Sequence, residues 1–419
     1  MARIVGMPGP IAGSAVPVGR AGTLAQVYRH FGEVDAAGTS PLYERVAVAL
    51  SESGEALRAI EAAPARKRHP AVILAALHDL ALAGRAPALA AAYAAADGDA
   101  AAGAAIDTLL RMTDSVVAIA VRRRTRADET GRCAVLYPAI AEAARRVGAN
   151  AVGLIDVGCS AGLNLNVDRV GITYSNGQSL GDPSSPVQMS SSIAGDRPPP
   201  GRAMPEVVAR IGVDLDPVNV TDADDARWLR ACLWPDQPER AARLEAEMAL
   251  AATAPPLLLQ GDAAEVLPDA FARVPADALP VVTTTWALSH FPLDSRLRFL
   301  HRLDEAAAGR AVAWVSVGGS ESRRPYRRLV TAAPPATASS AWRCPAGRLC
   351  TPRPLAAAGR RAASWRGWRT PRTCGWAKAA VIGPFGSRAR LDIDSAASQA
   401  FLLRGSRPAA YLRTRQTFF

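Results

Sequence analysis

The sequence contains no apolar run long enough to cross a membrane. The longest runs, such as residues 86–96, fall well short of the roughly 18 residues that a span requires. The first 21 residues are interrupted by four glycines and three prolines, so they lack the continuous apolar core of a secretory signal. The six cysteines form no CxxC pair, which argues against a zinc site or a disulfide framework. We therefore expect a cytoplasmic globular protein with no bound metal and no membrane partner.

Lysine is almost absent, since the chain has two lysines against 47 arginines among its 419 residues. Residues 321–419 hold 18 arginines and one lysine against three acids, whereas residues 1–320 hold 30 basic and 35 acidic residues. The net charge of +11 therefore comes from the C-terminal region, and we expect no nucleic-acid partner for the body of the protein. Our hypothesis is that residues 320–419 form a basic tail of low order, produced by a frame shift in a GC-rich gene or by decay of the terminus.

Hydrophobic spacing divides the rest of the chain into a helical part and a mixed part. After a flexible start at residues 1–24, apolar residues recur at helical spacing through residues 25–150, which predicts an all-helical cap domain. Across residues 151–319, short apolar runs alternate with helical segments, a pattern typical of a doubly wound, mostly parallel sheet. We thus predict an α/β protein with a Rossmann-like sheet, an all-helical N-terminal domain and an irregular C-terminal tail. The strand candidates are residues 152–157, 213–215, 257–260, 280–284 and 311–317, and the helix candidates among them are residues 222–233, 238–252 and 294–308.

A long insertion at about residues 171–210 separates the first two strand candidates. It is rich in proline and serine, and a loop of this length inside a domain usually serves as a lid or stays disordered.

Two other features have structural interpretations. The arginines of residues 122–126 are interpreted as a solvated helix end, and Trp228 and Trp234 as residues that dock their segment onto the sheet.

The strongest local signal is LIDVGCSAGLN at residues 154–164, where an apolar strand ends in a turn of small residues that opens a predicted helix. This turn resembles the first motif of the class I S-adenosylmethionine-dependent methyltransferases, an acid followed by three spaced glycines. Asp156, Gly158 and Gly162 match, and Ser160 stands at the position of the middle glycine. The resemblance implies that Asp156 faces the amino group of the cofactor, while the two glycines leave room for its methionine and ribose portions. Asn164 completes this predicted cofactor-binding turn.

Later segments continue the resemblance in the expected order. Asp214 lies in the second strand candidate, where class I methyltransferases bind the two ribose hydroxyls of the cofactor. Asp262 and Ala263 follow the third strand candidate, where these enzymes bind the adenine amino group. Trp286 and His290 follow the fourth strand candidate, beside the expected position of the methyl group, and are therefore the catalytic candidates. The resemblance implies S-adenosylmethionine as cofactor and methyl transfer to an acceptor that we expect to be a small molecule.

Two other chemistries can use the same turn. Residues 158–162 satisfy G-x-S-x-G, the nucleophile elbow of serine hydrolases, and Ser160, Asp262 and His290 follow in the order of a triad. However, the helical region upstream lacks the strands and the oxyanion loop that normally precede such an elbow. Nicotinamide binding is disfavoured because the turn has no glycine between Gly158 and Gly162.

Residues 25–317 as a whole resemble an uncharacterised bacterial family, domain of unknown function 2332. Its activity is not established, so the resemblance implies a methyltransferase-like fold and leaves a non-catalytic or degenerate member as a third alternative. The family pattern is expected to be lost near Gly318. The segments that carry the resemblance are SPLYERVAVAL (40–50), DETGRCAVLYPAI (128–140), DVGCSAGLNLNVDR (156–169), GDPSSPV (181–187), RIGVDLDPVNVTDADDARWLRACLWP (210–235) and QGDAAEVLP (260–268).

Overall fold

The structure is a computed structural model, and it describes residues 23–126, 131–193, 198–318, 376–382, 388–390 and 401–403. Residues 1–22 of the predicted flexible start lie outside this set, and Thr23 then closes a capping box with Gln26. A helical cap follows, with a π-helical segment at Phe31–Ala36 and a 3-10 turn at Ala65–Lys67. Its α-helices are α1 (Leu24–His30), α2 (Pro41–Glu52), α3 (Gly54–Glu61), α4 (Pro70–Leu82), α5 (Pro87–Ala94), α6 (Gly98–Arg111) and α7 (Thr113–Arg122).

The cap packs around α4, which is apolar on nearly every side. Eleven of its 13 residues are buried, and its side chains join those of α2, α5, α6 and α7 in one core cluster. Helix α2 begins where its sequence predicts. Ser40 accepts a hydrogen bond from the Tyr43 N–H, and Pro41 occupies the first helical position.

Five parallel strands form the central sheet, in the order β6-β5-β1-β7-β8, so the chain reverses direction across the sheet between β1 and β7. All five predicted strands are present. The second begins at Glu206, well before residue 213, because its first half alternates exposed and half-buried residues and so hides its length. The strands of the mixed part are β1 (Ala151–Val157), β2 (Gly171–Tyr174), β3 (Ser179–Gly181), β4 (Gln188–Ser191), β5 (Glu206–Asp214), β6 (Leu257–Gln260), β7 (Leu279–Thr285) and β8 (Val312–Gly318).

The remaining helices do not follow the division that the sequence predicts. The apolar face of α8 packs on β1, β7 and β8, although α8 lies within the predicted cap. Conversely, α9 follows β5, yet its residues Trp228 and Ala231 belong to the core of the cap. The helices are α8 (Cys133–Val147), α9 (Ala223–Ala231), α10 (Pro238–Thr253), α11 (Ala263–Ala272), α12 (Ala287–His290) and α13 (Leu293–Gly309).

Both tryptophans of the α9 segment dock onto the cap rather than onto the sheet. The Trp228 indole nitrogen donates a 2.8 Å hydrogen bond to the Arg124 carbonyl, and the Trp234 ring packs against Phe31 and Tyr43. The expected docking onto the sheet is therefore wrong, because the apolar groove that accepts these rings lies between the cap helices.

Polar contacts fix the same segment to the cap. The Ser40 hydroxyl donates to Asp236 at 2.6 Å, and Arg227 pairs with Asp79 at 2.9 Å. His78 Nδ1 lies 3.1 Å from the Leu233 carbonyl oxygen. The cap is thus held by the segment that leaves the end of β5.

The insertion after β1 contains a small sheet instead of a long loop. Strands β2, β3 and β4 pair in the order β3-β2-β4, and their apolar side chains pack with α8. The predicted helix after the glycine turn is a 3-10 turn, Leu163–Asn166. Its two asparagines have low α-helix propensity, which explains why no α-helix forms here. The α-helix prediction is therefore wrong at Leu163–Asn166, and the prediction of a loop is wrong where β2, β3 and β4 form.

The described part of the C-terminal region consists of three strands. β9 (Trp376–Ile382) pairs antiparallel with β8, and β10 (Arg388–Arg390) pairs with β11 (Phe401–Leu403). The rest of the predicted irregular tail lies outside the described residues.

Candidate functional site

The C-terminal ends of β1, β5 and β7 lie side by side at one edge of the sheet, on both sides of the chain reversal. Open α/β sheets bind ligands at this point. Among the described residues, three non-glycine residues have a left-handed backbone, and two of them lie here: Ser160 after β1, with φ of 53°, and Trp286 after β7, with φ of 62°. Backbone strain is concentrated at functional sites in many proteins, so this edge is the candidate site.

Residues 158–162 form the predicted turn, with positive φ at Gly158, Ser160 and Gly162. Ser160 therefore adopts the backbone conformation that glycine prefers, in agreement with its place in the motif. The turn is tied to the neighbouring strand, because the Gly158 N–H donates to the Val213 carbonyl at 2.8 Å and the Ser160 N–H donates to Asp214 Oδ2 at 2.9 Å.

Close packing within the protein requires glycine at positions 158 and 162. A Cβ at Gly158 would come within 2.7 Å of the Ala287 Cβ, and a Cβ at Gly162 would come within 3.0 Å of Pro256. A side chain at either position would therefore meet protein atoms. The glycines allow the turn to pack closely against α12 and against the start of β6.

Asp156 is a completely buried carboxylate in the sixth position of β1. Its Oδ1 accepts a 2.6 Å hydrogen bond from the Thr283 hydroxyl, and its Oδ2 has no hydrogen-bond partner among the described residues. Burial raises the pKa of the carboxyl from 3.8 to about 6, although the Thr283 hydrogen bond and the Arg132 charge lower it. Asn164 lies close enough to lower this pKa as well, without donating to Oδ2. A buried carboxylate with one open oxygen is suited to a cationic partner.

Asp214 lies where the second strand ends, as predicted, and its side chain is 11% exposed. In addition to the Ser160 N–H, it accepts the Asp216 N–H at 2.9 Å on Oδ1. This carboxylate therefore holds the glycine turn and the end of β5 in one arrangement.

Arg126 is a further residue at this site, and no local pattern of residues indicates its role. Its Nη1 lies 3.3 Å from Asp214 Oδ1, and its Nη2 donates to the Asp216 carboxylate at 2.8 Å and to the Asp216 carbonyl. The side chain is only 10% exposed, and its Nε has no hydrogen-bond partner among the described residues. The interpretation of this arginine run as a solvated face is wrong for Arg126, and also for Arg123, which pairs with Asp225. Acids that follow β5 lie opposite both side chains.

Arg132 marks the other side of the chain reversal. Its Nη1 donates to the Thr285 carbonyl at 2.9 Å and to the Thr285 hydroxyl, at the end of β7. Arg126 and Arg132 are six residues apart in the sequence, yet they contact the ends of β5 and β7, on opposite sides of β1. The segment that links the cap to α8 therefore supplies a cation to each side of the candidate site.

The third-strand candidates have local structural contacts. Asp262 is the N-cap of α11, and its Oδ1 accepts the Ala264 N–H at 2.8 Å. Ala263 is buried in the apolar core beneath that helix. The Gly261 N–H donates to the Asp214 carbonyl at 2.9 Å, so Asp262 directly follows the residue that is hydrogen-bonded to the end of β5.

The fourth-strand candidates differ in their surroundings. Trp286 is half-buried, and its N–H donates to the Val317 carbonyl at 2.6 Å. His290 ends α12 and is exposed, and its side chain makes no hydrogen bond to a described residue. The triad proposed from G-x-S-x-G is therefore not assembled in this structure. Burial also raises the pKa of the neighbouring Cys159 thiol, which disfavours its reactive thiolate form.

The fold and this edge define a mixed α/β protein with a five-stranded parallel sheet and a polar site at the chain reversal. The chain belongs to the bacterial family described as "uncharacterized protein conserved in bacteria (DUF2332)", whose family model matches residues 25–358. The match continues past Gly318, so the expectation that the family pattern is lost there is wrong. No curated protein and no solved structure matches the chain.

Within the described residues, no single helix is long and apolar enough to span a membrane. Helices α4 and α5 meet the length and composition criteria only as a pair, with a bend of 101° between them.

Proposed function

We propose that the C-terminal edge of the sheet binds S-adenosylmethionine and that the protein transfers its methyl group to a small-molecule acceptor. The observation that carries this proposal is the buried carboxylate of Asp156, whose Oδ2 is without a partner among the described residues, directly before a turn with three left-handed residues. The strand order and the carboxylate of Asp214 at the end of β5 support the same function.

The charge of the site fits this cofactor. An ionised carboxylate without a full set of partners is costly in a protein interior, and an ammonium group of the ligand would offset that cost. With a pKa of about 6, Asp156 is mostly ionised at pH 7 and is ready to accept such a group. Asp214 offers acceptor oxygens for ribose hydroxyls on the neighbouring strand.

The residues of the chain would act mainly by binding and orienting. Bound S-adenosylmethionine supplies a methyl group that its sulfonium has already activated. Thr283 fixes the orientation of the Asp156 carboxylate, and the Ser160 N–H fixes that of Asp214. Trp286, held by Val317 in a strained conformation, borders the acceptor side and excludes water there. Such positioning is sufficient to accelerate a transfer between two bound molecules.

Calorimetric titration of the full chain with S-adenosylhomocysteine, the demethylated product, tests the proposal. Binding is expected for the wild type, and Asp156→Asn is expected to weaken it at least tenfold because the negative charge is lost. Asp277→Asn is a matched control, since Asp277 is exposed in the loop before β7, at the opposite edge of the sheet. Absence of binding to folded wild-type protein, or equal affinity in Asp156→Asn, would contradict the proposal.

The hydrolase alternative makes an opposite prediction for Ser160. A fluorophosphonate probe would label this residue in a serine hydrolase, whereas the proposed methyltransferase is expected to stay unlabelled.

A further inference from the structure

Arg126 uses an acceptor position that the proposed function assigns to ribose. A carboxylate accepts about four hydrogen bonds, two on each oxygen. Asp214 already accepts the Ser160 N–H, the Asp216 N–H and the Arg126 guanidinium. One position is left, and the two hydroxyls of a ribose need two.

We propose that Arg126 sets the affinity of this site for nucleosides, because its guanidinium and the ribose diol compete for the Asp214 carboxylate. This inference rests on the proposed function and adds the residue that determines specificity at the ribose position. The ligand class is a nucleoside with both the 2′- and the 3′-hydroxyl.

The contacts of Arg126 allow its side chain to leave without unfolding the segment. Of its two carboxylate contacts, the one to Asp214 is longer, at 3.3 Å. Its Nε has no hydrogen-bond partner among the described residues, so no bond of Nε is lost when the side chain moves. The closer carboxylate, at 2.8 Å, belongs to Asp216, whose side chain is 43% exposed. The Asp216 side chain can therefore accompany the guanidinium toward solvent while Asp214 stays in place, and the hydrogen bond to the Asp216 carbonyl is given up.

The backbone at Arg126 is fixed independently of this side chain. Its N–H donates to Cys232 Sγ at 3.4 Å, and two residues earlier the Arg124 carbonyl accepts the Trp228 indole N–H. Exchange of the guanidinium for a ribose is therefore a local movement, and the cap keeps its position.

The experiment compares S-adenosylhomocysteine with its 2′-deoxyribose analogue by calorimetry on the full chain. Arg126→Ala is expected to bind S-adenosylhomocysteine about tenfold more tightly than the wild type, and to prefer it more strongly over the deoxy analogue. Asp214→Asn is expected to remove the effect of Arg126→Ala in the double variant, because the competition is for that carboxylate. Arg124→Ala is the control. It removes an exposed cation from the same segment and is expected to leave both affinities unchanged.

Arg126→Lys provides a second measurement if Arg126→Ala does not fold. Lysine keeps the charge but cannot contact both acids with a planar fork, so an intermediate gain in affinity is expected. If the wild type binds S-adenosylhomocysteine and the Arg126 variants bind it equally or more weakly, the proposed role of Arg126 is overturned and the proposed function is not. Absence of binding in the wild type and in all folded variants would instead overturn the proposed function.

Discussion

Thr283 and Asp156 are partners in the register of β7 and β1, and the Thr283 hydroxyl donates a 2.6 Å hydrogen bond to Asp156 Oδ1. Because this bond favours the ionised carboxyl, Thr283→Val is expected to raise the pKa of Asp156 above 6. The titration of the carboxyl carbon by NMR measures the change. Thr284→Val is the control, since the Thr284 hydroxyl instead accepts the Trp314 indole N–H. An Asp156 pKa that shifts equally in both variants would contradict this assignment.

Stability is expected to depend on pH through Asp156. Its pKa is about 6 in the folded protein against an ordinary 3.8, so the folded state binds the proton more tightly. The stabilisation by that proton is complete below about pH 4 and is lost as the pH rises through 6. The resulting change in the free energy of unfolding is roughly 3 kcal/mol, at about 1.4 kcal/mol for each unit by which the pKa is raised.

Denaturant unfolding of wild type and Asp156→Asn between pH 4 and pH 7 measures this contribution. The stability difference between the two proteins should change in favour of the variant as the pH rises. A difference that stays constant with pH would show that Asp156 is not the responsible group.

Gly158→Ala is expected to lower the free energy of unfolding for two separable reasons. The left-handed backbone costs a non-glycine residue about 1–2 kcal/mol, and the new Cβ would lie 2.7 Å from the Ala287 Cβ. The double variant Gly158→Ala/Ala287→Gly removes the steric contact but keeps the backbone cost. The double variant should therefore lose less stability than the sum of the losses in the two single variants. Losses that simply add would show that the two Cβ atoms do not clash.

Ser160→Gly is expected to stabilise the protein by up to about 1 kcal/mol, because glycine adopts a φ of 53° without the steric cost that serine bears. Thermal unfolding of the variant measures the gain. The proposed methyltransferase should keep its affinity for S-adenosylhomocysteine, since the Ser160 N–H remains available to Asp214. A large loss of stability would mean that the serine side chain has a structural role.

Trp228→Phe is expected to destabilise the protein by about 1–3 kcal/mol, because the Arg124 carbonyl loses its indole donor in a partly buried place. Trp234→Phe is a suitable comparison, since it keeps an aromatic ring in contact with Phe31 and Tyr43. Chemical denaturation should show the larger effect for Trp228. Equal effects would indicate that ring size, rather than the hydrogen bond, matters.

The sequence was sufficient to predict the elements whose signals are local. Apolar runs gave the five parallel strands, and Ser40 followed by Pro41 gave the start of α2. The acid and small residues at 156–162 predicted the turn, with Ser160 at the position of the middle glycine. Each of these features depends on residues close together in the chain.

The roles of Arg126, Thr283 and Trp228 depend instead on residues far away in the sequence. Arg126 meets Asp214 at a separation of 88 residues, and Thr283 meets Asp156 at a separation of 127. Nothing near Arg126 distinguishes it from the exposed Arg124. The 3-10 turn after Gly162 was missed because apolar spacing does not reveal how strongly asparagine opposes an α-helix.

The position of α9 has a consequence for how this protein folds. The helix follows the second strand of the sheet in sequence, but Trp228 and Ala231 complete the interior of the preceding bundle. The helices within residues 23–122 therefore lack part of their core until the chain has passed β5. We infer that the bundle and the first part of the sheet mature together as one cooperative unit, despite their separate order along the chain.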